Sequence, residues 1–240
     1  MYEFEEICSP IFFESENKNY PYWGKGSSFF ISSNNSVYWL TARHAIENLK
    51  GLIDNLRVFA KEGSKISMPF DEKYTIASNL NEDNEWKDVL MLRVDLEDFD
   101  ASGDASITAQ DIDSGCCPAS GLEETQRLFV IGYPAEKSEV NYELDKILTT
   151  RAILNAEYCG PSLDAYCHSL KILNSSNLSN LDGLSGSPVF ILKTEQRENV
   201  EFIFPLLVGM VIRGTASSNI LHFISSEIFS GMVNSIENNT

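Results

Sequence analysis

The sequence is short of basic residues, short of cysteine and without long apolar runs. Lys and Arg number 18 against 35 Asp and Glu, for a net charge of −17 over 240 residues. A chain so poor in cations lacks the clustered positive charge that phosphate backbones and anionic lipid surfaces require, so neither nucleic acid nor membrane is expected as a partner. The acidic balance favours solubility and basic partners. The longest uncharged apolar run, 202–212, is interrupted by Pro205 and is too short to span a bilayer as a helix. The acidic start MYEFEEICSPIFF has neither the basic beginning nor the apolar stretch of an export signal, so a cytoplasmic protein is expected. Five cysteines (Cys8, Cys116, Cys117, Cys159 and Cys167) are an odd number and too sparse for a disulfide scaffold; free thiols are expected. Cys159, Cys167 and His168 do not fall into the two close pairs of a zinc site, so no metal is expected.

What is present is a succession of short apolar runs separated by Asn, Ser, Gly and Asp. SSFFIS (27–32) and SVYWLT (36–41), joined by a tight turn, predict a hairpin. NLRVFA (55–60) and the run at SMPF (67–70) predict further strands. DVLMLRV (88–94) is nearly continuous in apolar residues, as a strand covered on both faces would be. The less apolar stretch 95–126 reads as a connection. RLFVIGYP (127–134), KILTTRAIL (146–154), SLKIL (169–173), SPVFILK (187–193) and PLLVGMVIR (205–213) then predict a second set of strands. Ile228, Met232 and Ile236 recur at helical spacing after Ser225 and Ser226, which predicts a C-terminal helix. An all-β protein with a C-terminal helix follows, and the chain shows no internal repeat.

Three local sequences carry chemistry. LTARHAIENL (40–49) ends an apolar strand and presents His44. DVLMLRV places Asp88 at the head of a buried strand, with Asp83, Glu85 and Asp95 as nearby competitors. DGLSGSPVF (182–190) is a small-residue turn around Ser185 that feeds a strand. A serine hydroxyl becomes a nucleophile only when a base removes its proton, and an imidazole is suited to that task near neutral pH. A carboxylate on the other ring nitrogen fixes the tautomer and stabilises the imidazolium. Glycines beside the serine let the turn expose Oγ and aim backbone N–H groups at a developing oxyanion. His168 and His222 read as structural, the latter set between Leu221 and Phe223.

TARH, DVLML and GLSGSP, in the order His, Asp, Ser, resemble the motifs T-A-x-H, D-[IL]-A-L-[LV] and G-[DN]-S-G-[GS]-P of the trypsin-like serine peptidase family. GKGSSFFI (24–31), VIGYP (130–134) and LLVGMVIRG (206–214) resemble smaller features of the same family, so the resemblance runs from about Gly24 to the terminal helix. It implies two six-stranded antiparallel β-barrels of the chymotrypsin kind plus the helix. Residues 1–110 would hold the first barrel with His44 and Asp88, and 111–240 the second with Ser185. It implies a serine endopeptidase acting on polypeptides without metal or cofactor, with Gly183 and Ser185 N–H as the oxyanion donors and Ser179, Ile212, Arg213 and Gly214 lining the substrate site.

The pattern departs from the family at several points. Leu184 stands where the family carries Asp or Asn, so it cannot receive the new N-terminal amine that activates secreted members. The resemblance is therefore to bacterial and intracellular members that lack that switch, and the oxyanion loop must be held in another way or ordered by an activating protein partner. An uncharged Ser179 at the pocket base implies no preference for Lys or Arg, and small, polar or moderately apolar residues are expected at P1. Arg213 is expected either as a solvated charge or as an attraction for an acidic substrate residue. A catalytically weak domain of this family that serves as a binding module is the alternative expectation.

Overall fold

The computed structural model describes residues 4–19, 22–47, 53–59, 67–77, 84–101, 107–141, 146–174, 178–197 and 200–239. The chain is mostly strand. The first set comprises β1 (Cys8–Glu14), β2 (Tyr22–Ser33), β3 (Ser36–Ala42), β4 (Leu56–Arg57), β5 (Phe70–Thr75), β6 (Val89–Val94) and β7 (Gln110–Asp111). The second comprises β8 (Arg127–Gly132), β9 (Ser138–Asn141), β10 (Lys146–Thr149), β11 (Ala152–Pro161), β12 (Cys167–Ile172), β13 (Pro188–Arg197), β14 (Val200–Thr215) and β15 (Ile220–Ser225). Among the described residues three α-helices accompany them: α1 (His44–Glu47), α2 (Leu96–Ala101) and the C-terminal α3 (Glu227–Glu237).

The strands form two large antiparallel sheets. The second is a closed six-stranded barrel in the order β11-β12-β15-β14-β13-β8. The first differs from the expected six-stranded ring. It has seven strands on the path β4-β1-β2-β3-β6-β5, with β7 joining β2 in parallel. Just beyond β4, Val58 O accepts the Met68 N–H at 2.7 Å and Phe59 bridges Ser67. KILTTRAIL, expected as one strand, is divided: β10 forms a two-stranded hairpin with β9, whereas β11 enters the barrel beside β8. The stretch expected to be a plain connection contains α2 and β7.

The pattern of apolar residues explains this layering. Alternate residues of a strand point to opposite faces. In β6, Leu90, Leu92 and Val94 enter the interior of the first sheet with Phe13, Phe30 and Trp39. Val89 and Met91 on the other face join Phe29, Tyr38, Leu40, Phe190, Met210, Ile212 and Phe229 in a core lying between the sheets and under α3. Burial on both faces is why 89–92 reads as an unbroken apolar run. The barrel has its own core, built from Leu128, Val130, Leu154, Leu170, Val189, Val208, Val211, Leu221 and Phe223.

Helix α3 closes the core between the sheets. The sequence places Ile228, Met232 and Ile236 inward, but Phe229 and Val233 are the most deeply buried of its side chains. Phe229 meets Phe29 edge-on at 5.9 Å between ring centroids. Ser226 stands at the N-cap without a side-chain capping bond. No helix among the described residues is long and apolar enough to cross a membrane. Truncating the fully buried Phe229 to Ala is predicted to cost about 3–5 kcal/mol, since transfer and cavity losses add. Urea unfolding checks this, and a loss below about 1 kcal/mol would show that α3 is not an integral part of the core.

Candidate active site

His44 and Asp88 are brought together by strand register. In the β3–β6 pair Ala42 lies opposite Val89. The chain two residues beyond Ala42 therefore meets the chain one residue before Val89. Asp88 Oδ1 accepts the His44 backbone N–H at 2.9 Å, and Oδ2 lies 2.6 Å from His44 Nδ1. Both carboxylate oxygens are thus committed to one residue, which fixes the rotamer of the acid and the plane of the imidazole. A hydrogen bond this short to a carboxylate is charge-assisted. With Nδ1–H donating to Asp88, Nε2 is left as an acceptor.

Ser185 arrives from the barrel. Its Oγ lies 3.1 Å from His44 Nε2 and 3.1 Å from the Ile212 carbonyl oxygen. One hydroxyl proton serves either acceptor, so the serine is poised to give it to the imidazole. The turn that carries Ser185 is held against β14, with the Gly186 N–H donating to Val211 O at 2.8 Å. It is also held against β2, where the Ser27 N–H donates to Ser185 O at 3.0 Å. Gly186 has φ +88°, and a Cβ there would sit 1.9 Å from Ser27 O and 2.4 Å from Thr41 Oγ1. Only glycine permits the two sheets to approach this closely. Thr41 Oγ1 in turn donates to Ser27 O at 2.9 Å, in a fully buried setting one strand-end away from His44.

Four consecutive carbonyls of this loop are engaged. Asp182 O accepts from Ala135 N–H at 2.8 Å, Gly183 O from Ser27 Oγ at 2.7 Å, Leu184 O from Ser187 N–H at 3.0 Å and Ser185 O from Ser27 N–H. In a trans peptide the N–H points opposite to the C=O. Fixing the carbonyls of 182 and 184 therefore turns the N–H groups of Gly183 and Ser185 the other way. Among the described residues neither of these two N–H groups meets an acceptor. Gly183 has φ +86°, where a side chain would collide with Tyr133 O and Ala135 N at 2.6 Å. Leu184, which replaces an acidic or amide residue of the resembled pattern, is fully buried in the barrel core beside Val130, Val189 and Val211. The loop is thereby anchored by apolar burial where an ion pair would otherwise serve.

The expected substrate-lining residues fare unequally. Ile212 is buried and contributes its carbonyl to Ser185. Arg213 does not stand free: Nε and Nη2 pair with the two carboxylate oxygens of Glu85 at 2.8 and 3.1 Å. The pair is part-exposed, so Glu85 competes with any acidic substrate residue for the Arg213 charge. The space over Gly214 is occupied by Leu221 Cδ2 at 2.4 Å and Leu181 Cδ1 at 3.0 Å from a Cβ position. Ser179 is not simply an uncharged position. Its N–H reaches both oxygens of Glu136 at 3.0 Å, and its hydroxyl also bonds Glu136, which holds that carboxyl below the usual carboxylate range.

Of the competing acids, Glu85 is paired with Arg213, and Asp95 accepts the N–H groups of Glu97 and Asp98 at the start of α2. Asp83 lies outside the described residues. Glu85, Asp164 and Cys167 bring ligand atoms within 4.8 Å of one another. Glu85 is occupied by Arg213, Asp164 accepts the Glu85 N–H, and burial pushes the Cys167 thiol up to about 12. These groups satisfy one another and form a poor cation site. His168 Nδ1 is 2.7 Å from the Tyr158 hydroxyl and its ring stacks on Phe223, away from the triad. His222 is half-buried, its Nδ1 meets no hydrogen-bond partner among the described residues, and burial holds its pKa below the ordinary imidazole value.

Sequence reasoning did not single out Ser27, Thr41, Leu181, Leu221 or Glu136. A signal existed for Thr41, a polar residue that ends the apolar run VYWL, whereas Ser27 follows Gly24, Lys25 and Gly26 and precedes Ser28, which gives none. No protein-family model matches the chain, and no curated protein matches it. The Gly186→Ala variant is predicted to lose about 2–6 kcal/mol from strain at positive φ and overpacking against Ser27. Thermal unfolding checks this, and a wild-type melting temperature would contradict the tight seam described above.

Proposed function

We propose that the protein is a serine endopeptidase of the trypsin-like kind, built as two barrels with the site in the seam between them. The observation that carries this is the His44 imidazole, 2.6 Å from Asp88 on one side and 3.1 Å from Ser185 Oγ on the other. Ser185 Oγ attacks the carbonyl carbon of the scissile bond while its proton passes to His44 Nε2. The negative charge formed on the carbonyl oxygen is received by the N–H groups of Gly183 and Ser185. Collapse of the tetrahedral adduct breaks the C–N bond, with His44 returning the proton to the departing amine. Water then attacks the acyl-enzyme, again losing its proton to His44, and releases the acid and free Ser185.

The pinned loop favours a site ready to act without an activating partner, and it also speaks against a purely binding role. Leu181 and Leu221 take up the room over Gly214, which favours small P1 residues over aromatic ones. Three of the five thiols are poor rival nucleophiles: burial raises the pKa of Cys8, Cys116 and Cys167.

Cleavage of an unstructured peptide library, read by mass spectrometry, tests the proposal. Ser185→Ala is expected to abolish cleavage. Asp88→Asn is expected to lower kcat by about 10⁴-fold, because the imidazole then takes the wrong tautomer. Cleavage that persists in purified Ser185→Ala would sink the assignment.

A further inference from the structure

Ser27 lies on β2 of the first sheet, yet its side chain serves the loop of the second. It is fully buried. Its hydroxyl donates to Gly183 O at 2.7 Å and accepts the Tyr133 N–H at 2.8 Å, so both its donor and one of its acceptor positions are used. Its backbone adds the bond from N–H to Ser185 O and accepts Thr41 Oγ1 on its own carbonyl. One residue therefore grips the carbonyls of the two residues whose N–H groups face the reacting carbonyl.

We propose that the Ser27 hydroxyl is a positioning residue for the oxyanion donors, setting the Gly183 peptides from across the seam in place of an activation-dependent ion pair. This rests on the hydrolase reading above. The physical reason is geometric. The Gly183 residue sits at positive φ between two peptide planes, 182–183 and 183–184. The first plane is fixed by Ala135, which follows Tyr133 by two residues. The second is held by the Ser27 hydroxyl on Gly183 O at 2.7 Å and, at a longer 3.3 Å, by the Leu184 N–H on Leu181 O, and the same hydroxyl fixes the Tyr133 N–H. One buried oxygen thus grips the plane after Gly183 directly and braces the plane before it through the Tyr133–Ala135 segment. Without it, the Gly183 carbonyl and the Tyr133 N–H each lose a buried partner, and the donor peptide keeps only the Ala135 bond on a segment that is itself less firmly held. The backbone bond from Ser27 N–H to Ser185 O survives a change of side chain, so the nucleophile stays placed while the oxyanion donor does not.

The roles are separable by measuring kcat per active site, with the site concentration taken from the burst of p-nitrophenol released from p-nitrophenyl acetate. In Ser27→Ala, kcat per titrated site is expected to fall about tenfold to a hundredfold, short of the full loss of a donor, with KM within about twofold. Ser27→Cys, close to serine in size but a weak donor, is expected to show the same split with less change in melting temperature. It serves as the informative variant if Ser27→Ala folds poorly. A purely structural role would reduce the number of titratable sites and leave kcat per site unchanged, and that result in both variants overturns the proposal. A folded wild-type protein that gives no burst overturns the hydrolase reading, and the role of Ser27 with it.

Discussion

The close approach of Gly186 to the backbone of Ser27 is the constraint on which the site depends. His44 and Asp88 belong to one sheet and Ser185 to the other, so a triad forms only if the two sheets are locked in register at the seam. The lock is backbone against backbone, with no room for a Cβ, and it is reinforced by the Ser27 N–H on Ser185 O and by Thr41 on Ser27 O. The core between the sheets, with Phe29, Met91, Phe190 and Phe229, supplies the apolar burial that presses the halves together. Polar contacts at the seam then select one relative placement from those that burial alone would allow.

This arrangement solves a problem set by Leu184. A loop that must present two N–H groups to a substrate cannot also satisfy them internally, so its order has to come from its carbonyls and side chains. Here the carbonyls of 182–185 all have donors, and the leucine side chain is sunk in the barrel core. Apolar burial and four hydrogen bonds replace a switchable charge pair. On the proposed reading, readiness of the site would follow from folding, with no later cleavage event needed. Around it the charges are paired: Arg213 with Glu85, Asp88 with His44.

Much of this was legible in the sequence, for identifiable reasons. His44, Asp88 and Ser185 each sit beside a strand with a strong apolar signature, which made them candidates; the resemblance of TARH, DVLML and GLSGSP to the trypsin-like motifs selected them, and strand register brings them together. The double-sided burial of β6 was readable because it leaves an unbroken apolar run. What could not be read were contacts between residues remote in sequence. The Ser27 hydroxyl is 156 positions from Gly183, and nothing near either residue announces the bond. Arg213 and Glu85 are 128 apart, so the pairing of Arg213 was hidden. The division of 146–154 into two strands was hidden for a different reason: periodicity does not reveal where a chain leaves one sheet for another.

Reaction with a fluorophosphonate probe, followed by mapping of the modified peptide, tests the central claim most directly. The account predicts a single covalent adduct on Ser185 in the native protein, lost on unfolding. A correctly folded protein that takes up no probe, or takes it up at another residue, would contradict it.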